Sequence, residues 1–558
     1  MERQARGEHE TDSAATGGTA VLGLLALTQF LMTVDSSVMN VSIGALVDDL
    51  DTTVTAIQGV ITAYTLVMAA SMITGAKVGD LLGRRRALRV GLVVYACGSV
   101  LTAVAPNIVV LLLGWSVLEG LGAALIMPTI VALVAGNFVG RQRAVAYSVL
   151  AAAVAAAVAA GPIIGGFVTA YFSWRWVFAA EVVIAGAILV GSRAIDDAPT
   201  DERPRIDVVG AVLSAAGLGV LVLGVLQSSS WGWVRPRIAD GEDATPQVLG
   251  ISLVAWLVVG GLLVLWLFLG WQRRVADRGG LPLVDPSLWK YRQLTGGLTM
   301  LLLQYLVMMG VFFTMPLFLS LVLGLDAFET GLRMLPLSVA LVVTAPAVPR
   351  FFPRAGPRLV VQVGLFLMLA ATLLLAVGFD AGAGVSVTTL PFILLGSGMG
   401  ALSSQLGNVV VSAVPQERSG EVGGLQYTAQ NLGSSLGTAL VGAIVIGLLS
   451  TLLLTGIEQS DQLEPALKQQ AAVELGSGVD FVSVEQVEDA LATTTLAVDE
   501  QQAILDAYES AQLGALSTGM VALSVILLLA LFFTRGLPTE PLISRDEINA
   551  APPSTSAA

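Results

Sequence analysis

The sequence predicts an all-α membrane protein with fourteen transmembrane helices, and three observations lead to this prediction. First, the 558 residues are 55% hydrophobic and only 12% charged, whereas soluble domains average about 25% charged residues. Second, apolar runs near the roughly 20 residues that a spanning helix needs recur fourteen times. Third, lysine and arginine are concentrated in every second connecting segment, as the positive-inside rule requires.

Each apolar run is predicted to be helical, because unpaired backbone groups cannot face hydrocarbon. The predicted spans lie near 20–46, 57–78, 88–105, 108–134, 144–170, 175–192, 208–227, 248–270, 295–322, 332–348, 359–378, 387–413, 424–454 and 514–535. With the N-terminus in the cytoplasm, 23 of the 28 basic residues fall on the cytoplasmic side. The sequence therefore predicts a multi-pass protein of the bacterial cytoplasmic membrane with both termini cytoplasmic.

Composition excludes several classes of function. The single cysteine, Cys97, and the single histidine, His9, leave no basis for a disulfide framework, a zinc site or a histidine-based catalytic triad. No phosphate-binding Gly-x-x-x-x-Gly-Lys-Ser/Thr loop is present, which argues against transport driven by ATP hydrolysis. We therefore expect no enzyme activity, no metal and no cofactor.

The net charge of −13 does not indicate a basic partner, because the acids concentrate on the predicted external side. The segment 455–513 alone carries twelve acidic residues and lies between the last two spans. Part of it, about 481–512, has helical spacing, with Val484, Val487 and Leu491 on one side. We interpret the segment as a small external cap or a mobile loop.

The predicted cytoplasmic turn between the second and third spans contains a compact motif, Gly79-Asp80-Leu-Leu-Gly83-Arg84-Arg85. The glycines permit a tight turn, the aspartate can accept hydrogen bonds near a helix N-terminus, and the arginines suit anionic headgroups. An ordinary positive-inside loop is the alternative reading of this motif alone.

Two intramembrane stretches add chemistry. Gly161-Pro162-Ile-Ile-Gly165-Gly166 in the fifth span allows close helix approach and a bend, although generic helix packing would explain it as well. In the first span, Asp35 is a carboxylate inside an apolar run, which marks a functional-site candidate. Two polar stripes run along this span at helical spacing, formed by Thr28, Asp35 and Ser42 and by Gln29, Thr33, Ser36 and Asn40.

These stretches, in this order and with fourteen spans, resemble the major facilitator superfamily, and more narrowly its fourteen-span drug:proton antiporters of the multidrug and antiseptic exporter type. The resemblance covers about residues 18–540. The residues that match family motifs are Asp80, Gly83, Arg84 and Arg85 in the loop, Gly161 to Gly166 in the fifth span, Asp35, Asn40 and Val41 in the first span, and Trp174, Arg175, Trp176 and Phe178 at the start of the sixth.

The resemblance implies two six-helix bundles, spans 1–6 and 9–14, joined by two extra helices. The implied divisions are a cytoplasmic tail 1–17, an N-terminal bundle 18–192, a linker with two spans 193–294, a C-terminal bundle 295–535 that includes the external acidic loop 455–513, and a cytoplasmic tail 536–558. Substrate would pass between the bundles near the midplane as they rock.

The chain departs from the family pattern at the fourth and sixth spans. Ser116 occupies the position of a family arginine that assists proton coupling, and Glu119 and Glu181 replace an amide at two further positions. Burial without a countercharge favours the protonated form of a carboxyl group. We assign Asp35 and Glu119, and in third place Glu181, as proton carriers. Structural acids hydrogen-bonded to neighbouring hydroxyl or backbone groups are the alternative.

The predicted substrate cavity is lined by polar, aromatic and methionine side chains, which suit an adaptable site for amphipathic molecules. They are Asn40, Gln304, Tyr305, Met308, Gln405, Asn408, Gln426, Tyr427 and Gln430; polar interhelical packing is the competing interpretation for each. The predicted function is proton-coupled export of drugs or other amphipathic, including cationic, small molecules, with a role in multidrug efflux and antibiotic resistance. Export of a specific endogenous metabolite, lipid or siderophore is the alternative. The expected partners are substrate, protons and the lipid bilayer, with no nucleic acid and a monomeric state.

Overall fold

A computed structural model of the chain describes residues 2–138, 140–195, 207–234, 236, 246–380, 385–414, 419–460, 462–465, 467–469, 479, 481–494 and 496–541. Within these ranges, fourteen helices are long and apolar enough to cross a membrane. This confirms the predicted all-α architecture and the number of spans. The two faces of the protein are named below as the basic residues predict them, cytoplasmic and external.

The fourteen spans are numbered in chain order. Their helices are Glu2–Val41, Val54–Leu82, Arg84–Ala103, Ile108–Leu111 with Leu112–Glu119 and Gly120–Asn137 as span 4, Gly140–Tyr171, Arg175–Gly191, Val208–Leu226, Leu253–Asp277, Arg292–Pro316 with Leu317–Val322 as span 9, Ala327–Phe351, Pro357–Gly378, Val385–Val411, Ser419–Gln459 and Val498–Phe533. Spans 4 and 9 contain π-helical segments at Leu112–Glu119 and Leu317–Val322. The second follows Pro316, whose ring nitrogen cannot donate to the helix.

Smaller elements connect the spans. Short α-helices occupy Ile43–Asp49, Ser228–Trp231 and Val484–Ala492, and 3₁₀ turns occupy Ser192–Ala194, Pro286–Lys290 and Thr534–Gly536. The two-residue strands Gln247–Val248 and Ile251–Ser252 pair antiparallel, Gln247 with Ser252 and Val248 with Ile251. Span 1 departs from its predicted range of 20–46: its helix ends at Val41, and the short helix Ile43–Asp49 follows.

Spans 1–6 pack on one another, as do spans 9–14. The two groups meet along two seams, span 2 against span 13 and span 5 against span 10. Spans 7 and 8 pair with each other, and span 7 also packs on spans 2 and 13, outside the first seam. This arrangement agrees with two six-helix bundles and an added helix pair. The first seam is called the 2–13 seam below.

Part of the segment between the last two spans is folded against their ends. Phe481 is buried, the backbone N–H of Val482 donates to the hydroxyl of Tyr508 at 2.9 Å, and the amide of Gln512 donates to the carbonyl of Val482. Span 14 begins at Val498, well before its predicted start at 514, because its first turns are polar and pack on this segment instead of lipid. The predicted apolar side of the short helix, which includes Val487, is half-buried.

Candidate functional site

The three acids predicted as proton carriers meet inside the N-terminal bundle. Asp35 of span 1, Glu119 of span 4 and Glu181 of span 6 each offer a carboxylate oxygen, and these oxygens all lie within 4.8 Å of one another. All three side chains are at most 2% exposed. We call this group the carboxyl cluster.

Glycines and a π-helical turn bring Glu119 into the cluster. Glu119 is the last residue of the π-helical segment of span 4, a feature that is frequent at functional sites. Spans 3 and 4 approach closely here. A Cβ at Gly98 would lie only 2.6 Å from Cγ of Glu119, and a Cβ at Gly114 would lie only 2.8 Å from the backbone nitrogen of Thr102. Larger side chains at these glycines would hold the glutamate away from span 3.

Each carboxylate in the cluster accepts a hydrogen bond at one oxygen from a buried side chain. The indole Nε1 of Trp115 donates to Oδ1 of Asp35 at 2.9 Å, and Thr102 Oγ1 donates to Oε1 of Glu119 at 3.1 Å. Oε2 of Glu181 accepts from the hydroxyl of Tyr95 at 2.9 Å and from that of Ser99 at 3.4 Å. The second oxygens, Oδ2 of Asp35, Oε2 of Glu119 and Oε1 of Glu181, are buried without a hydrogen-bond partner.

No basic residue in the described part of the chain forms an ion pair with the cluster. An ion pair between two described residues joins Arg175 to Asp49 at the external end of span 6, where Arg175 also donates to the carbonyl of Ala105 and lies over the ring of Trp174. Two carboxylate charges 4.8 Å apart repel by about 3–4 kcal/mol at an effective dielectric constant of about 20. Three ionised groups would therefore be strongly unstable, and the three unpartnered oxygens are available to carry protons.

The fifth-span motif packs against both bundles. A Cβ at Gly161 would collide with Ser37, and one at Gly165 would lie 2.9 Å from Cα of Val38, both on span 1. Gly166 abuts the carbonyl of Ala327 on span 10 in the same way, and Gly331 of span 10 abuts the carbonyl of Pro162. The motif thus lets span 5 approach spans 1 and 10 closely.

Pro162 has a second consequence at this contact. A proline cannot donate to the carbonyl four residues earlier, and that carbonyl, of Val158, accepts a hydrogen bond from Ser338 of span 10 at 3.2 Å. A hydroxyl from the opposite bundle therefore occupies the acceptor that the proline leaves free.

The loop motif lies at the cytoplasmic ends of spans 2 to 4. Gly83 adopts a φ of 84°, which favours glycine, and Gly79 is buried. Arg84 donates to the carbonyl of Ala132 at 2.8 Å, and Arg85 donates to that of Arg193 at 3.0 Å. The side chain of Asp80, also predicted for this site, lies outside the described residues.

The predicted cavity residues differ in burial. Asn40 and Gln304 are buried, Asn40 donating to the carbonyl of Ser36 at 2.7 Å and Gln304 to Ser403 Oγ at 2.9 Å. Within the part of the chain that is described, the half-buried members are Tyr305, Met308, Gln405, Gln426, Tyr427 and Gln430, and Asn408 is exposed. For all nine residues, cavity lining stays a prediction.

The two polar stripes of span 1 face different partners. Asp35 and Ser42 of the first stripe contact their own bundle, Ser42 through a 2.8 Å hydrogen bond to Thr169. Gln29 of the second stripe accepts a 3.4 Å hydrogen bond from the hydroxyl of Tyr427 in the opposite bundle. The carboxyl cluster is therefore inside one bundle, while the neutral side chain of Gln29 contacts the other.

The donors that surround the cluster are not among the residues predicted from the sequence. Tyr95, Ser99 and Thr102 recur at helical spacing along an otherwise apolar span 3, which is a signal for a polar stripe. Trp115 carries no comparable signal, because tryptophan is common in apolar spans.

Comparisons with known proteins agree with this architecture. The family model described as the Major Facilitator Superfamily matches residues 25–438. The chain is similar to the tetracenomycin C resistance and export protein of Streptomyces glaucescens, with 29% identity over 423 residues, covering 75% of this chain and 74% of the relative. It is 28% identical over 440 residues to the multidrug efflux pump LfrA of Mycolicibacterium smegmatis, covering 78% and 83% of the two chains. Among solved structures, the peptide transporter POT in complex with sulfate shares the fold, with a TM-score of 0.57 at 14% identity over 93% of this chain and 95% of that one.

Proposed function

The chain belongs to the Major Facilitator Superfamily, and from this premise we propose that it is a proton-coupled antiporter that exports drugs or other amphipathic small molecules, cationic ones included. It is a transport protein rather than an enzyme. We further propose that it functions in the bacterial cytoplasmic membrane with both termini in the cytoplasm, in accord with the distribution of its basic residues.

The observation that carries the proposal is the carboxyl cluster. Three acids within 4.8 Å of one another, each with one unpartnered buried oxygen, can share protons whose number changes when the site gains access to water. Exchange between two sides with different proton concentrations would then release free energy in every cycle. A membrane potential of 100 mV supplies about 2.3 kcal/mol for each charge moved.

The two seams supply the moving parts of the proposed cycle. The contacts of Gln58 with Thr438 and Ala439, and of Ser338 with Val158, join the bundles through side-chain donors and backbone carbonyls. Such contacts can break and re-form without exposing many polar groups to lipid. Rocking about the seams would alternate access to a substrate held between the bundles.

The substrate class rests on two supports. Relatives are named for tetracenomycin C resistance and export and for multidrug efflux, which favours hydrophobic or amphipathic cargo. The predicted cavity also combines half-buried Tyr305 and Met308 with the amides of Gln405 and Gln430, a mixture that accommodates varied molecules. Export of a specific endogenous metabolite, lipid or siderophore remains the second candidate, because the cavity residues are neutral and do not demand a cation.

A dye-efflux experiment in proteoliposomes tests the function. We expect an imposed pH gradient to drive ethidium movement, a protonophore to abolish it, and Glu119→Gln or Asp35→Asn to reduce it at least tenfold. Glu488→Gln, which changes an exposed acid on the short external helix, is the matched control and should transport normally.

Three outcomes decide between the alternatives. Transport that follows a Na⁺ gradient and ignores the protonophore would overturn proton coupling. Full proton-driven efflux in both Glu119→Gln and Asp35→Asn would overturn the role of these two acids as proton carriers. Unchanged dye retention in cells that overproduce the protein would favour the endogenous substrate, which a metabolite screen of the medium could then identify.

A further inference from the structure

We propose that Trp115 is a positioning residue that ties the protonation state of Asp35 to the 2–13 seam through a stacked tyrosine, Tyr64. The proposal rests on the proposed function, since it concerns how a proton on the cluster would reach the interface between the bundles. Its geometry is independent of any substrate.

The first link is the hydrogen bond between Trp115 and Asp35. The indole Nε1 lies 2.9 Å from Oδ1 of the carboxylate, and both side chains are 1% exposed. A hydrogen bond to an ionised acceptor is about twice as strong as one to a neutral acceptor. Trp115 is therefore held more firmly when Asp35 carries its charge than when Asp35 is protonated.

Other titratable groups face the same site from spans 2, 3, 4 and 6. Glu119 of span 4 and Glu181 of span 6 complete the cluster, Tyr95 of span 3 donates to Glu181, and Tyr64 of span 2 stacks on Trp115. No lysine or arginine of the described residues forms an ion pair with any of them. Protons that move among the acids will therefore also change the charge on Asp35.

The second link is the contact between spans 4 and 2. The rings of Trp115 and Tyr64 stack with centroids 4.7 Å apart and an interplanar angle of 10°. Ser116 Oγ donates to the carbonyl of Val60 at 2.8 Å, and a Cβ at Gly120 would lie 3.1 Å from the side chain of Val67. The part of span 4 that carries Trp115 thus packs against span 2 over about two helical turns.

The third link is the other side of span 2, which forms the 2–13 seam. The amide of Gln58 donates to the carbonyls of Thr438 and Ala439 at 3.0 and 3.3 Å, and Ser435 donates to the carbonyl of Thr62 at 3.1 Å. Thr62 is two residues from Tyr64, so one stretch of helix contacts the stacked tryptophan on one side and the opposite bundle on the other. A weaker hold on Trp115 would let this stretch shift and loosen the seam.

Trp115→Phe tests the proposal, because phenylalanine keeps a stacking ring and removes the N–H donor. We expect the pH of half-maximal efflux to move upward by about one to two units, because ionised Asp35 loses a charge-assisted hydrogen bond that stabilised it. Trp176→Phe makes the same change at a tryptophan that is 63% exposed. It is the control, and it should leave the pH profile of efflux unchanged.

Hydrogen–deuterium exchange of the full chain in nanodiscs measures directly how firmly the 2–13 seam is closed. In the wild type, residues 435–442 should exchange faster at low pH than at high pH after correction for the intrinsic pH dependence. In Trp115→Phe this pH dependence should disappear. Asp35→Asn should behave at every pH like the wild type at low pH, and it remains informative if Trp115→Phe does not fold.

The outcomes separate this inference from the proposed function. An unshifted profile in Trp115→Phe, or a shifted profile with the seam still responding to pH as in the wild type, would overturn the role of Trp115. A pH-dependent seam in Asp35→Asn would overturn it as well. Wild-type efflux that ignores pH would instead overturn the proposed function itself.

Discussion

Gly98→Ala is the substitution whose effect the geometry defines most closely. The added methyl group would lie 2.6 Å from Cγ of Glu119, 2.7 Å from its backbone nitrogen and 2.7 Å from the carbonyl oxygen of Gly114, whereas ordinary contact begins at 3.4 Å. Two of these three atoms are backbone atoms, so a rotamer change cannot relieve the collision. Spans 3 and 4 must separate by about 0.7–0.8 Å in a densely packed interior.

Two measurable effects follow from that separation. Overpacking of this kind costs about 1–3 kcal/mol of stability. The hydrogen bond from Thr102 to Glu119, now 3.1 Å, would lengthen beyond the range in which such bonds form. We expect lower stability in mixed-micelle unfolding. We also expect a loss of proton-driven efflux of about two- to thirteenfold, taking about 0.5–1.5 kcal/mol for the lost hydrogen bond and 1.36 kcal/mol as tenfold in rate.

Gly186→Ala is the matched control, because a Cβ at Gly186 meets nothing within 4 Å. Both substitutions add a methyl group to a helical glycine, so the gain in helix propensity of about 1 kcal/mol is common to them. A Gly98→Ala protein that equals the Gly186→Ala protein in stability and efflux would refute the argument that close approach of spans 3 and 4 positions Glu119.

Three further predictions concern contacts away from the cluster. Ser338→Ala should weaken the seam between spans 5 and 10 by about 0.5–1.5 kcal/mol, because the carbonyl of Val158 loses its donor; disulfide trapping across spans 5 and 10 measures this. Asp49→Asn should lower stability by about 0.2–1 kcal/mol, since the aspartate is 41% exposed, and thermal unfolding against Asp48→Asn checks it. Gly442→Ala should displace the amide of Gln58 and speed hydrogen exchange at 435–442.

Each of these has an outcome that contradicts it. Unchanged trapping efficiency in Ser338→Ala would mean that water or another donor serves Val158 equally well. Equal unfolding temperatures for Asp49→Asn and Asp48→Asn would remove the ion pair with Arg175 from the account. Slower exchange at 435–442 in Gly442→Ala would mean that the seam tightens when the amide moves.

The sequence predicted the spans well because lipid imposes a local rule on each of them. Apolar length and basic flanks sufficed to locate all fourteen. The rule failed where a helix leaves the bilayer, as at Val498, since polar turns of span 14 are stabilised by packing against Phe481 and Val482 rather than by lipid. Span 1 ended early for a related reason, because a turn at Ser42 is invisible in an apolar run.

The candidate site was predicted in part. An acid inside an apolar run is visible in the sequence, so Asp35, Glu119 and Glu181 could be named individually. Whether they meet depends on the register and rotation of three helices. The glycine contact at Gly98 and a π-helical turn determine that register and rotation, and hydropathy encodes neither of these two features. The indole donor of Trp115 was missed for the same reason.

The claim that the carboxyl cluster exchanges protons during transport can be measured directly by substrate-induced proton release. Purified protein in weakly buffered detergent solution is mixed with a transported dye, and the change in pH is recorded against a blank. We predict release from the wild type and from Glu488→Gln, and none from a variant that combines Asp35→Asn, Glu119→Gln and Glu181→Gln. Equal release from that triple variant and from the wild type would contradict the account, because the protons would then come from groups outside the cluster.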